Sequence, residues 1–265
     1  MPKIRPTPLL ILCMGFGALA LSWAAFLLVD IADVLGLGSA VYEYFSERDI
    51  ERAQVWAILF TEGGPVEIMQ WLLLAVASGL AMHIHGLLSA GKNPGKNDRH
   101  ARLFWLLMGI AFLLMLIEDA GNPRHWAIRF FHALFGGDAG QITELIYFAA
   151  LGALPLSALA FFGRPVLGLP RTRIFLLGGF FVYGLAAVSS AARYYWYEAA
   201  GEWLHARAFG ETLKEVALGT QGHGFWLMDY LVEESLELIG ATLLAAAAAA
   251  FLREYKGPNQ MPDSL

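Results

Sequence analysis

Charge is scarce in this chain. Asp, Glu, Lys and Arg make up 15% of its 265 residues, where a soluble domain carries about 25%. Cysteine occurs once, as Cys13 inside the first apolar run, which excludes a disulfide framework and a cysteine metal cluster. No lysine stands at the centre of an apolar stretch, so a retinal Schiff base has no anchor. No two histidines are four residues apart, which speaks against the His-x-x-x-His metal motif of ceramidase-like and receptor-like membrane hydrolases. A four-helix diiron site takes Glu-x-x-His from two of its helices; no apolar stretch carries that pattern, and "EESLE" offers only Glu-x-x-Glu. Phosphate-binding glycine loops, nucleophile elbows and extended basic patches are also missing, which removes nucleic acid as a partner.

What is present is apolar surface: 57% of the residues are hydrophobic. Runs of roughly 18–25 apolar residues recur, the length needed to cross about 30 Å of hydrocarbon. The chain therefore reads as all-α, a polytopic helical bundle forming one integral domain in a lipid bilayer. Spans are expected near 8–29, 65–88, 101–117, 143–162, 173–192 and 227–252, with 253–265 as a short tail. The basic start and long first run leave two readings, a retained helix and a cleaved signal peptide; an apolar core of about 20 residues exceeds the usual signal length and favours retention.

Lysine and arginine set the expected orientation. Of 18 such residues, 11 fall in four short segments, Lys3–Arg5, Lys92–Arg102, Arg164–Arg173 and Arg253–Lys256. Both termini are thereby expected on the cytoplasmic side. Of the 23 acids, only Asp98, Glu254 and Asp263 share that side. Longer outer loops account for part of this excess, and a functional cause for the acids is the competing account. Between the spans, "YEYFSERDIERAQVWAILF", "HWAIRFFHALF" and "YYWYEAAGEWLHARAFGETLKEVAL" mix rings and charges at helical spacing, the habit of interfacial helices. The plan is three hairpins, and Glu67, Glu144 and Glu234 each stand early in a returning helix, a weak internal repeat.

Several acids lie deeper than a lipid-facing position tolerates. Glu237 precedes Arg253, and Glu118 follows Arg102, by 16 residues, or roughly 24 Å of helix. An acid at a span's centre costs on the order of 2.5–3.5 kcal/mol, so such groups face the bundle interior with partners. On the last span Asp229, Glu233 and Glu237 follow i, i+4, i+8, and Glu234 joins the same broad face. Like charges at that spacing repel, and a proton, a cation or a basic residue must offset them.

These residues define a candidate intramembrane site: Glu67, Glu118, Asp119, Glu144, Glu233, Glu234 and Glu237, with Gln70, Arg124 and Arg193 as partners. "LIEDAGNPRHW" is its richest stretch, because Gly121-Asn122-Pro123 breaks a helix between two acids and Arg124-His125. Broken helices at membrane depth are tolerated where they line a cavity. Oxygen ligands suit a divalent cation, and His125 as a metal ligand would admit zinc or iron. A desolvated carboxylate favours its protonated form, which suits proton exchange. Three readings follow: a cation- or proton-binding protein linked to transport, a metal-assisted enzyme acting on a lipid or lipid-linked substrate, and an accessory subunit locked by Arg–carboxylate pairs such as Arg193 with Glu144. His83, His85 and His100 near one membrane face read as ordinary headgroup neighbours. The run Ala245–Ala250 reads as close helix packing, with oligomerisation through small-residue faces as the alternative.

With "GPVEIMQW", "EDAGNPRH", "TELIYFAALGALPL" and "EESLELIGA" side by side, the chain resembles an uncharacterised family of prokaryotic multi-pass membrane proteins in which similar acidic segments open several helices. The resemblance implies a helical bundle in a prokaryotic cytoplasmic (inner) membrane. It brings no activity, so no residue role is carried over.

Overall fold

Thr7 opens the first helix, accepting at its hydroxyl from the Leu10 N–H at 3.2 Å. Pro8 then takes the first helical position, where its missing N–H costs nothing. The computed structural model describes residues 7–48, 54–91, 95–136, 139–210, 213 and 221–255, and these are helical, with no strand among them. In order they form α1 (Pro8–Phe26), α2 (Leu37–Ser46), α3 (Val55–Leu59), α4 (Pro65–Ser89), α5 (Lys96–Gly121) and α6 (Pro123–Phe135). Then follow α7 (Ala139–Phe162), α8 (Arg164–Leu167), α9 (Pro170–Ala191), α10 (Arg193–Leu204), α11 (His223–Trp226) and α12 (Glu234–Glu254). Wider π-helical turns occupy Leu27–Ile31, His205–Phe209 and Leu227–Glu233.

Six helices are long and apolar enough to cross a membrane: Pro8–Ile31, Pro65–Ser89, Lys96–Gly121, Ile142–Phe162, Pro170–Ala191 and His223–Glu254. This is a multi-pass membrane protein, with spans where hydropathy places them. The expected third span starts late, at 101, because Lys96 and Arg99 depress hydropathy in what is the first turn of α5. Gly95 opens that turn by donating its N–H to Asp98 at 3.0 Å. Lys3, Arg5, Lys92 and Lys256 of the charge map, and the tail past Tyr255, lie outside the described residues.

The chain divides into two compact units: Met1–Cys13, Trp71–Phe181 and Gly240–Leu265 in the first, Met14–Gln70 and Val182–Ile239 in the second. In the first unit small residues bring helices close. The Ser78 hydroxyl donates to the Gly109 carbonyl at 2.9 Å, joining α4 to α5. A side chain at Gly179 would collide with Leu244, so α9 packs tightly on α12. Ala245–Ala250 are buried inside the chain, which commits that run to intrachain packing. His85 Nδ1 donates to the Arg102 carbonyl at 3.1 Å, an ordinary structural role.

In the second unit carboxylates hold helix beginnings. Asp30 accepts from Val55 N–H at 3.0 Å and Trp56 N–H at 2.7 Å, capping α3 from 25 residues away. Asp33 accepts from Gly38 and Ser39 at 2.7 and 3.1 Å, opening α2. Glu198 accepts from Gly222 and Phe225, each at 3.2 Å, opening α11. There α10 and α11 meet backbone to backbone at Gly201 and Gly224, where a Cβ on Gly201 would overlap the Gly224 carbonyl. The outer segments expected to lie along the interface correspond to α2 with α3, to α6, and to α10.

The first unit uses the same device at the other end of its helices. Glu254, at the end of α12, accepts from the Arg171 and Thr172 N–H groups at 3.1 and 3.0 Å and from the Thr172 hydroxyl at 3.0 Å. A carboxylate at a helix N-terminus satisfies orphan donors and meets the positive end of the helix dipole. Glu254→Ala is expected to cost about 2 kcal/mol, a fall of about 4–8 °C in apparent Tm in detergent. Glu254→Gln, which keeps one acceptor oxygen, should lose about half as much; an unchanged Tm for the alanine variant would contradict the assignment.

Candidate functional site

The residues singled out from sequence divide between the two units. In the first unit the Gly121-Asn122-Pro123 corner is decisive. Asn122 adopts the left-handed conformation (φ 48°, ψ 40°), closing α5 with its N–H on the Glu118 carbonyl at 2.9 Å and opening α6. Asparagine is among the few residues that enter this region readily, and Pro123 at the first helical position forbids α5 from continuing unbroken. The reversal returns Arg124 towards Glu118, six residues back along the chain.

Arg124 Nε lies 3.4 Å from Glu118 Oε1, and its Nη1 lies 3.6 Å from Glu144 Oε1 on α7. Its guanidinium carbon stands 4.8 Å from the centre of the Phe148 ring. Both carboxylates are buried, at 4% and 1% exposure. Ionised together, the three groups carry a net charge of −1. Neither oxygen of Glu118 makes a hydrogen bond among the described residues, although both are inaccessible to solvent. Tyr147, one turn along α7 from Glu144, has a hydroxyl that acts on the Glu118 carboxylate. Asp119 and His125 flank the corner, partly buried.

In the second unit the last span departs from the α-helical spacing that sequence reading assumed. Leu227–Glu233 is π-helical, with hydrogen bonds to the fifth rather than the fourth residue. Asp229 and Glu233 nonetheless stay neighbours that act on each other, and both face α10. Asp229 Oδ1 lies 3.3 Å from Arg193 Nη1. Glu233 Oε2 accepts from the Tyr197 hydroxyl at 2.7 Å. Glu237 Oε2 accepts from Gln70 Nε2 at 2.8 Å, with Tyr183 on the same amide at 3.4 Å. Gln70 and Arg193, both expected as partners, fill that role. Glu67 turns back on the Gly63 N–H, so this acid opens α4; Glu234 is buried in the next turn. The suggested equivalence of Glu67, Glu144 and Glu234 does not extend to their surroundings.

Tyr197 and Ser189 were not visible from sequence. Tyr197 has one hydroxyl proton and two acceptors in reach, Glu233 at 2.7 Å and Ser189 Oγ at 3.1 Å. The shorter contact takes the proton, and Ser189 donates in return. Within "YYWYE", Tyr195 is 79% exposed while Tyr197 is 1% exposed, a difference that composition could not reveal. The rings of His205 and His223 also meet, with centroids 4.6 Å apart, though neither histidine was expected to have company.

A divalent cation held by side chains needs several ligands in one place. Among the described residues, no three of His, Cys, Asp and Glu come together as a set able to hold a metal ion.

Burial, and then the charge of Glu233, push the Tyr197 hydroxyl well above its ordinary pKa. The folded state thus keeps a proton that the unfolded chain loses above about pH 10. Stability from this group is complete below that pH and declines as pH rises past it. Tyr197→Phe is expected to cost about 1–2 kcal/mol at neutral pH and to flatten part of the alkaline decline, read as apparent Tm against pH. Tyr195→Phe should change neither. Comparison with protein-family models, with curated proteins and with solved structures returned no match, so the reading of these groups rests on their geometry.

Proposed function

We propose that this protein binds and releases a proton at buried carboxylates of a membrane bundle, with Glu118 as the acceptor, and that this exchange drives the movement of an ion or solute. One observation carries the reading: Glu118 is almost wholly buried, both its oxygens are shut off from solvent, and the arginine it approaches also serves Glu144. Two ionised carboxylates at ~3.5 Å from one guanidinium each gain about 5 kcal/mol at an effective dielectric constant of about 20, but each also loses several kcal/mol of hydration. A proton on Glu118 removes one of those hydration costs and leaves a neutral Arg124–Glu144 pair. Protonation therefore changes how strongly the corner holds α6, a differential interaction of the kind that shifts a conformational equilibrium.

The charge map supports a prokaryotic cytoplasmic membrane with both termini inside. A structural reading is favoured by a separate observation: Arg124 touches α5 through Glu118 and α7 through Glu144 and Phe148, so it also fastens three helices. The two readings part on Glu118→Gln, an isosteric change that mimics the protonated acid. Infrared difference spectra between acid and neutral pH should show a protonated-carboxyl band in the wild type that is missing from a folded Glu118→Gln variant. An identical band pattern in both would overturn the proton reading. A variant that no longer folds would favour the fastening role alone.

A further inference from the structure

Helix α6 has an exposed face that the site does not use. None of its 13 residues is buried. Trp126, Phe130 and Leu134, at successive i+4 positions, are 74%, 60% and 58% exposed, and Phe135 is 73% exposed. Arg129 and His132, three residues apart, flank that stripe and are also exposed. The sequence "PRHWAIRFFHALF" contains no acid. Its counterparts α2 and α10 carry Glu43, Glu198 and Glu202, so α6 alone among these interfacial segments has only basic ionisable groups.

The neighbouring helices of the same unit expose apolar side chains as well. Leu113, Leu114 and Ile117 on α5 and Ile142, Leu145 and Ile146 on α7 are likewise exposed. A short amphipathic helix that follows directly on the end of a membrane span lies at headgroup depth, with tryptophan at the boundary. Rings sink into the acyl edge, and cations beside them stay level with the phosphates. Arginine suits phosphate oxygens by its forked donors.

We infer that the exposed face of α6 is a binding site for an anionic phospholipid, whose phosphate is held by Arg129 and His132 and whose acyl chains cover Trp126, Phe130 and Leu134. The inference does not rest on the proton reading, since Arg124 and Glu118 play no part in it. A second copy of the chain is the other occupant such a face could take, but an apolar stripe flanked by cations offers a like copy only its own charge.

The test is lipid retention. The full-length protein in mild detergent is equilibrated with equal amounts of phosphatidylglycerol and phosphatidylcholine, and bound lipids are counted by native mass spectrometry. The wild type should favour phosphatidylglycerol, and Arg129→Gln should reduce that preference about five-fold, the value of one basic residue near an anionic surface. Arg48→Gln, an exposed cation elsewhere, should leave it intact, and Trp126→Ser should weaken both lipids alike. Raising salt should erase the wild-type preference without any substitution. Equal preference in wild type and Arg129→Gln would overturn the inference, as would a dimer that Trp126→Ser dissociates.

Discussion

A carboxylate withdrawn from water loses several kcal/mol of hydration, and the membrane offers nothing in return. Each acid buried in this bundle is therefore placed where a specific donor or cation waits. Arg124 meets Glu118 and Glu144, Arg193 meets Asp229, Tyr197 meets Glu233, and Gln70 meets Glu237. These pairings dictate much of the local geometry. The left-handed Asn122 exists to bring Arg124 back over α5. The π-helical stretch Leu227–Glu233 carries Asp229 and Glu233, and both meet α10, at Arg193 and Tyr197. Glu118 is least satisfied of the set, which is why it carries the functional proposal.

Part of the surplus of acids outside the basic segments has a structural cause. Asp30, Asp33, Glu67 and Glu198 all accept from backbone N–H groups at helix beginnings. Helix starts need acceptors, and the positive end of each helix favours an anion there. At the opposite end of the sequence Glu254 does the same for α9, and the Tyr255 hydroxyl then meets Asp98 near the start of α5. Burial, and then that carboxylate, push the Tyr255 pKa up as well.

The architecture was legible because membrane spanning leaves a strong imprint: six apolar runs and a Gly-Asn-Pro break name the helices and the corner. Partnerships were less legible. Gln70 and Arg124 could be named as partners because they are rare polar residues beside deep acids. Tyr197 could not, since four aromatic residues follow Arg193 and nothing in their order says which one turns inward. The closeness of Asp229 and Glu233 was legible from their spacing, and both meet α10. The spacing could not show that Leu227–Glu233 is π-helical just where those acids stand. His205 and His223 are 18 positions apart and come together only through tertiary packing.

The central claim is that one guanidinium holds two buried carboxylates in balance, with a proton able to take its place. A double-mutant cycle measures this directly. Arg124→Gln alone leaves Glu118 and Glu144 facing each other across a neutral amide, and its stability in detergent at neutral pH should fall by about 3–5 kcal/mol. Adding Glu118→Gln should restore most of that loss, and so should lowering the pH on the single variant. Strictly additive losses, or an Arg124→Gln protein as stable as the wild type, would contradict the account.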